Sequence, residues 1–389
     1  MVILRATPYE HFAQEIGSQH IICFGAGNTF DYLLKSCSDE LQLFSKIAVI
    51  LDNSVALDGT LREIYERQIP VKTIQHFLSE DPVMSDYVIL LCNNKSINEI
   101  IEQLDHIEHF NGVSCFIWNV LLEENGPCFS STIAALPYHY KDYQIPRKIH
   151  YCWFGGKEMP ARDRANLESW KKYCPDYEII LWNEKNYDIE KNKYMKDAYL
   201  AKKWGFVPDF ARFDIIYEHG GFYLDTDVEL VRGLDPFTKF KAFLAFEFYN
   251  LINPGSGFGS IPKNPLIKEL IGIYKDKDFI FADNTLNLVP SPVYTTEFFR
   301  NRGVEINNRM QIVEDTVFFP SDFLCPLNQK TALYELTINT HAIHKFFCSW
   351  FNDEQLKEWE EAKQNTAVMN ERLMHDFINK FLSTNKEIR

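Results

Sequence analysis

The residues whose types and spacing could do chemistry crowd into one run, VPDFARFDIIYEHGGFYLDTDVELV, residues 207–231. Asp225 and Asp227 are separated by one residue. On an extended strand both side chains project from one face, with about 6.8 Å between their backbone positions at about 3.4 Å per residue. Two ionised carboxylates that near one another raise one pKa, and a divalent cation removes the conflict. Hard oxygen ligands suit Mg²⁺ or Mn²⁺, above all where diphosphate oxygens complete the shell. Asp209 and Arg212 lie three residues apart and share one face of the preceding helix. Arg212 offers a planar fork suited to a phosphate or a sugar. Asp209 offers an acceptor for sugar or ribose hydroxyls. A surface ion pair is the plainer reading of the same spacing. A bare D-x-D also occurs in solvated turns, but this one follows an apolar strand preceded by a helix and a Gly-Gly stop.

The elements that must position these groups follow from local signals. Pro208 opens a helix at its first turn, where no N–H is required. Gly220-Gly221 ends it with residues able to take positive φ. A strand over 221–226 is expected to start at once, with Phe222 and Leu224 on one side and Tyr223, Asp225 and Asp227 on the other. Around it the pattern predicts strands at 148–153 and 178–182 and helices at 161–173 and 194–204. Upstream, strands at 20–24, 46–51, 87–92 and 114–118 alternate with helices at 29–36 and 96–110, and Ile69-Pro70-Val71 reads as edge-like. Strands alternating with helical periods predict an α/β chain with a parallel, doubly wound sheet. Residues 123–144 lose the rhythm and read as a linker. The expected organisation is a Rossmann-like domain at 1–122, the linker, and a second domain at 145–389 that closes on a helix near 353–382.

A second motif sits at the start of the first domain. Gly25-Ala26-Gly27 lies where a strand passes into a helix, and Asp52 ends the next strand. That is the context of a dinucleotide fingerprint, in which glycines let backbone N–H groups approach a pyrophosphate at a helix N-terminus. The third glycine is absent, with Phe30 near its place, so a tight turn without a cofactor and a nucleotide or nucleotide-sugar site both fit. An NAD(P)-dependent sugar-modifying enzyme acting through this domain is the alternative it supports. With its FGAGN turn, its LDNS strand end and a strand before CNN, the segment 20–120 resembles small Rossmann-like modules found beside sugar-modifying enzymes.

Bulk properties narrow the classes. A chain of 389 residues predicts two domains. A net charge of −14 leaves no basic face for nucleic acid, though a small phosphate-bearing substrate fits if a bound cation screens it. The nine cysteines form no CxxC pair, which argues against a disulfide framework or zinc site and suits a reducing cytosol. The first residues lack an apolar signal core, and no apolar stretch reaches transmembrane length. The expectation is a soluble, cytoplasmic protein.

The segment 145–350 resembles the family 32 glycosyltransferases, the DXD sugar-transferase group of capsular-polysaccharide enzymes and fungal mannosyltransferases. The resemblance is carried by IPRKIHYCWFGG (145–156), NLESWKKYCPDYEIILWNE (166–184), DFARFDIIYEHGGFYLDTDVE (209–229) and HAIHKFFCSW (341–350). It implies a GT-A type catalytic domain and sugar transfer from a UDP- or GDP-sugar to a glycan or lipid-linked glycan acceptor. It also implies retention of anomeric configuration, Mn²⁺ or Mg²⁺, and a place in surface or capsular polysaccharide synthesis with peripheral association at the inner face of the cytoplasmic membrane. Carried over by residue, it implies that Trp153 stacks on the base, Asp209 and Arg212 contact the donor sugar and phosphates, and Tyr223 lines the nucleotide pocket. Asp225, Asp227 and His344 would be the metal ligands, Ser349 and Trp350 would close over the diphosphate, and Asn253 would face the acceptor. Arg212, Asp209 and Asp227 are then the expected catalytic residues. No second carboxylate in these motifs presents itself as a nucleophile, which favours front-face displacement. A non-catalytic sugar-binding scaffold is the rival the intact motifs argue against.

Overall fold

The computed structural model describes residues 1–5, 12, 15–27, 45–64, 67–92, 97–117, 145–247, 251–329, 332–347 and 353–378. In the first unit a seven-stranded sheet runs in the order β1 (Ile3–Leu4), β7 (Ser114–Ile117), β6 (Tyr87–Leu91), β2 (His20–Phe24), β3 (Ile47–Leu51), β5 (Arg67–Lys72), β4 (Leu61–Ile64). Every neighbouring pair is parallel except β4 with β5. The central strands HIICF, IAVIL and YVILL are apolar nearly throughout because both faces are covered. Along β2, Ile22 and Phe24 enter one core cluster while Ile21 and Cys23 enter another. Helices α1 (Ile74–Leu78) and α2 (Ile97–Asp105) fall between the strands as the alternation predicts. The expected helix at 29–36, Trp118 and the 123–144 linker lie outside the described residues.

Two readings change. The Ile69-Pro70-Val71 strand is interior rather than an edge, flanked by β3 and β4. Pro70 is tolerated because the ladder with β3 begins only at Val71. The compact units are also not the simple halves read from the sequence. The first comprises residues 1–124, 328–337 and 360–388, and the second residues 125–327 and 338–359. The last helix (Asp353–Phe377) therefore sends its later turns into the first unit, where Met369 and Leu373 are buried with Val2, Leu4 and Leu104. Arg372 pairs there with Asp105 at 2.9 Å. Periodicity identifies a helix but says nothing about which sheet receives its apolar stripe.

The second unit is built on another seven-stranded sheet, β14 (Gln311–Val313), β15 (Thr316–Phe319), β12 (Ala242–Ala245), β13 (Phe258–Ser260), β10 (Gly221–Tyr223), β8 (Lys148–Cys152), β9 (Glu178–Trp182). β8 is parallel to both β9 and β10. β13 is antiparallel to β10 and to β12, so β8, β10 and β12 all run one way. Their carboxyl ends share an edge, the edge at which open α/β sheets hold ligands. A separate two-stranded ladder pairs β11 (Val228–Leu230) with β18 (Ala342–His344), setting Val228 opposite His344.

The strand expected at 221–226 stops at Tyr223. Asp225 donates its backbone N–H to the Gly255 carbonyl, and Val228 closes a turn on the Asp225 carbonyl. The two aspartates therefore leave the sheet on a turn, and the strand-face spacing argued from the sequence does not apply to them. Among the described residues no helix is long and apolar enough to cross a membrane.

Candidate active site

The site begins with a helix that is buried nearly all round. Helix α5 (Pro208–His219), the fifth of the described α-helices in chain order, carries Pro at its first turn and buries Asp209, Phe210, Ala211, Arg212, Phe213, Ile215 and Ile216. Asp209 and Arg212 are thus an interior pair rather than a surface one. Gly220 and Gly221 stop the helix at φ 63° and 102°, and a Cβ on Gly221 would meet the Lys148 carbonyl at 2.8 Å. His150 fastens this turn. The indole N–H of Trp182 donates to His150 Nδ1 at 3.0 Å, which leaves Nε2 to donate to the Gly220 carbonyl, also at 3.0 Å. Burial holds the imidazole neutral, with its pKa pushed down to about 4.

Past the turn, acidic groups converge. The Arg212 guanidinium stands 3.4 Å from Asp209 and 3.4 Å from Asp225. It lies over the Tyr223 ring, 5.1 Å from the centroid. The Tyr223 hydroxyl donates to Asp225 at 3.0 Å. Burial lifts the Asp209 carboxyl to about 7 despite Arg212. Burial also opposes the Arg212 charge, but Asp225, Tyr223 and Asp209 outweigh it and hold the guanidinium above its ordinary pKa. On the other side of the turn, His344 Nε2 lies 3.2 Å from Asp227 Oδ1, and the Phe347 N–H donates to Asp227 Oδ2 at 2.9 Å. Burial works against the Asp227 charge, yet the His344 cation and these hydrogen bonds bring its pKa down to about 2. Asp227 in turn holds the His344 pKa well above its usual value, against burial.

One ligand atom from each of Asp225, Asp227 and His344 lies within 4.8 Å of the others. Two carboxylate oxygens and an imidazole nitrogen, with Ser256 Oγ at 2.9 Å fixing the far ring nitrogen, form a donor set that fits a divalent metal ion. The ladder of β11 with β18 explains the convergence: it aligns two segments more than a hundred residues apart, one register step beyond Asp227.

The remaining expected residues are placed unevenly. Trp153, half-buried, follows β8 at the same sheet edge and donates its indole N–H to the Lys157 carbonyl at 2.7 Å. Ser349 and Trp350 lie outside the described residues. Asn253, expected to face an acceptor, is held inside its own loop. Its amide nitrogen donates to Glu247 at 2.8 Å, and its oxygen accepts the Gly255 N–H at 2.7 Å.

Three features were not identified as functional in the sequence. Gly255 lets backbone approach Asp225 where a Cβ would come 2.2 Å from Oδ2. Glu247, at the end of β12, is buried beside Asn253. Helix α3 (Ala161–Tyr173) grips the D-x-D turn with one face: Asp163 accepts from Thr226 Oγ1 at 2.7 Å, Asn166 donates to the Thr226 carbonyl at 2.9 Å, Ser169 accepts from the Leu230 N–H at 2.9 Å, and Trp170 donates to the Val228 carbonyl at 2.8 Å. The spacing of these four residues, with polar groups on a helical stripe that ought to be apolar, is the signal that could have found them.

The chain is similar in part to known proteins. Residues 160–244 match the family model described as the glycosyltransferase sugar-binding region containing the DXD motif. The chain is 26% identical over 139 residues to inositol phosphoceramide mannosyltransferase 1 of Schizosaccharomyces pombe, covering 33% of this chain and 42% of that one. It is 29% identical over 142 residues to mannosyl phosphorylinositol ceramide synthase SUR1 of Saccharomyces cerevisiae, covering 36% of this chain and 37% of that one. It thus spans less than half the length of these two curated relatives. The uncharacterized glycosyltransferase L373 of Acanthamoeba polyphaga mimivirus is 27% identical over 222 residues, covering 53% of this chain and 84% of that one. Among solved structures, the PaToxG glycosyltransferase is similar at a TM-score of 0.34 and 15% identity, over 64% of this chain and 90% of that one.

Proposed function

We propose that this protein is a metal-dependent glycosyltransferase that moves a sugar from a nucleotide-sugar to a saccharide acceptor. The observation that carries the reading is the cluster of Asp225, Asp227 and His344 beside the buried Asp209 and Arg212 pair. Three ligands and the cationic Arg212 gathered at one sheet edge suit a diphosphate leaving group. A divalent cation held by the first three would supply charge neutralisation at that diphosphate. Arg212, fixed by Asp209, Asp225, the Pro208 carbonyl and the Ser291 hydroxyl, brings its charge to phosphate or sugar oxygens with little reorganisation. Asp209 accepts from a sugar or ribose hydroxyl. The rate enhancement rests mainly on positioning and on charge stabilisation at the leaving group. With no nucleophilic carboxylate in these motifs, the acceptor hydroxyl is expected to attack from the face the diphosphate leaves, with retention of configuration.

The names of the fungal relatives favour a mannosyl donor and a lipid-linked acceptor as the first pair to test. Assembly of a surface or capsular polysaccharide at the membrane is the wider setting proposed. The test is nucleoside diphosphate release from a panel of UDP- and GDP-sugars, with and without Mn²⁺, for the native protein and Asp227→Ala. Release from one donor that needs metal and disappears in the variant supports the reading. No release from any donor sinks it.

A further inference from the structure

We propose that Glu247 reads the sugar of the donor: its free carboxylate oxygen accepts a hydroxyl of the sugar being transferred, and so helps decide which nucleotide-sugars the site takes. The inference rests on the donor-binding site proposed above and adds a residue that none of the recognised motifs contains.

Three observations point to Glu247. The first is its place in the sheet. β8, β10 and β12 run one way, so Trp153, Asp225 and Glu247, each one or two residues past its strand, emerge at the same edge. The loop carrying Gly255 and Ser256 reaches that edge as well, because it leads into the antiparallel β13. The second is a short chain of contacts from Glu247 to the metal ligands. Asn253 Nδ2 donates to Glu247 Oε2 at 2.8 Å, and Asn253 Oδ1 accepts the Gly255 N–H at 2.7 Å. The Cβ position of Gly255 lies 3.1 Å from Asn253 Oδ1 and 2.2 Å from Asp225 Oδ2. One side chain therefore separates Glu247 from Asp225. The third is an unmet acceptor. Glu247 is only 6% exposed, yet no lysine or arginine pairs with it, and Asn253 is the one side-chain hydrogen-bond donor to it among the described residues. Burial raises its carboxyl pKa, tempered by Asn253 and by the His344 charge. One carboxylate oxygen is thus held by Asn253, while the other pairs with no described residue and stays open to a donor on a ligand.

The hydroxyls of a sugar are such donors. A sugar on a diphosphate held at Asp225 and Asp227 is one bond from the β-phosphate, close enough for Glu247 to reach. The donor is the favoured occupant over the acceptor because only Asn253 and the Gly255 backbone separate Glu247 from Asp225, where the donor's diphosphate would be held. Asn253 then acts as a positioning residue that holds one carboxylate oxygen and aims the other.

The experiment compares native protein, Glu247→Gln and Glu247→Ala in the presence of Mn²⁺, after thermal melting has shown that each variant folds. Binding of the free nucleoside diphosphate is measured by calorimetry, and kcat/KM is measured for the donor the native enzyme hydrolyses and for its deoxy and epimeric analogues. The expected result is unchanged diphosphate affinity and a loss of roughly 10- to 100-fold in kcat/KM for the intact donor, the range for a hydrogen bond to a charged group. One deoxy donor should lose as much in the native enzyme and nothing further in Glu247→Ala. Equal kcat/KM and the same donor ranking in all three proteins would overturn the proposal. So would a parallel loss of diphosphate affinity, which would make Glu247 a structural support of the metal site. If the native protein releases diphosphate from no donor, the transferase reading fails first and this inference falls with it, a pattern distinct from the other two.

Discussion

Asp52 and Asp225 each lie just past the carboxyl end of a buried strand, β3 and β10, and each faces a glycine-bearing turn. At Asp52 the local chain satisfies the carboxylate: Oδ2 accepts the Ala26 N–H at 2.9 Å and Oδ1 accepts the Ser54 N–H at 2.9 Å. The amide that a pyrophosphate would need in the Gly25-Ala26-Gly27 turn is thereby occupied by the protein itself. At Asp225 the Tyr223 hydroxyl and Arg212 both hold Oδ1, and no described group donates to Oδ2. Its neighbours are Tyr223, Arg212, and the two other groups whose ligand atoms come within 4.8 Å. Like charges are gathered there although each raises the free energy of its neighbour, an arrangement that ligand binding can relieve. A glycine turn with a nearby acid thus predicts a site only when the acid's lone pairs are not already used.

Glycine-to-alanine changes should break this comparison most visibly. Gly255→Ala places a methyl where Asp225 Oδ2 now stands, and a displaced carboxylate should cost on the order of 100-fold in donor kcat/KM. Gly27→Ala, whose Cβ meets nothing within 4 Å, should leave turnover as it is. Equal effects in a steady-state assay would erase the distinction between the two turns.

Next in size are changes to the grip on the D-x-D turn. Trp170→Phe removes the donor to the Val228 carbonyl, and a manganese titration of activity should show metal affinity weakened by about 10-fold, as for other residues that orient metal ligands. Ser169→Ala should act in the same direction. A variant that melts earlier but binds metal normally would reduce the helix to mere packing.

Acid sensitivity should also belong to the second unit. His150 and His341 are buried and neutral, with pKa values pushed by burial down to about 4 and about 3. As pH falls below the unfolded value of about 6.5, the unfolded chain takes up protons that the folded one refuses, so stability is present above that value and is lost on the way down. For His150 the loss approaches on the order of 3 kcal/mol near pH 4. Melting curves between pH 7 and 4.5 should fall for the native protein and fall less steeply for His150→Gln, which starts lower. Parallel slopes would refute the assignment. The smallest effect is at Asp52: Asp52→Ala should cost about 1–2 kcal/mol from two unpaired amides and leave diphosphate release unchanged.

Much of this was legible one segment at a time. Pro208 and Gly220-Gly221 delimit the site helix from the sequence because helix ends are set by backbone groups a few residues apart. The apolar strand runs announced the largely parallel sheet of the first unit, covered on both faces. The resemblance placed His344 with the aspartates, and the β11–β18 ladder supplies the physical cause. What stayed hidden depends on register between distant segments. The early end of β10 follows from Gly255 accepting the Asp225 N–H. The functional face of helix α3 shows only once the turn it grips is in place, and Glu247 gains meaning only when β12 and β10 are seen to run together. The last helix was visible in sequence, but its destination in the first unit was decided by the apolar cluster of Val2, Leu4 and Leu104 that Met369 and Leu373 complete. Short-range chemistry determines where an element starts and stops, whereas the pairing of remote strands decides which of its side chains meet, and that pairing is a property of the whole fold.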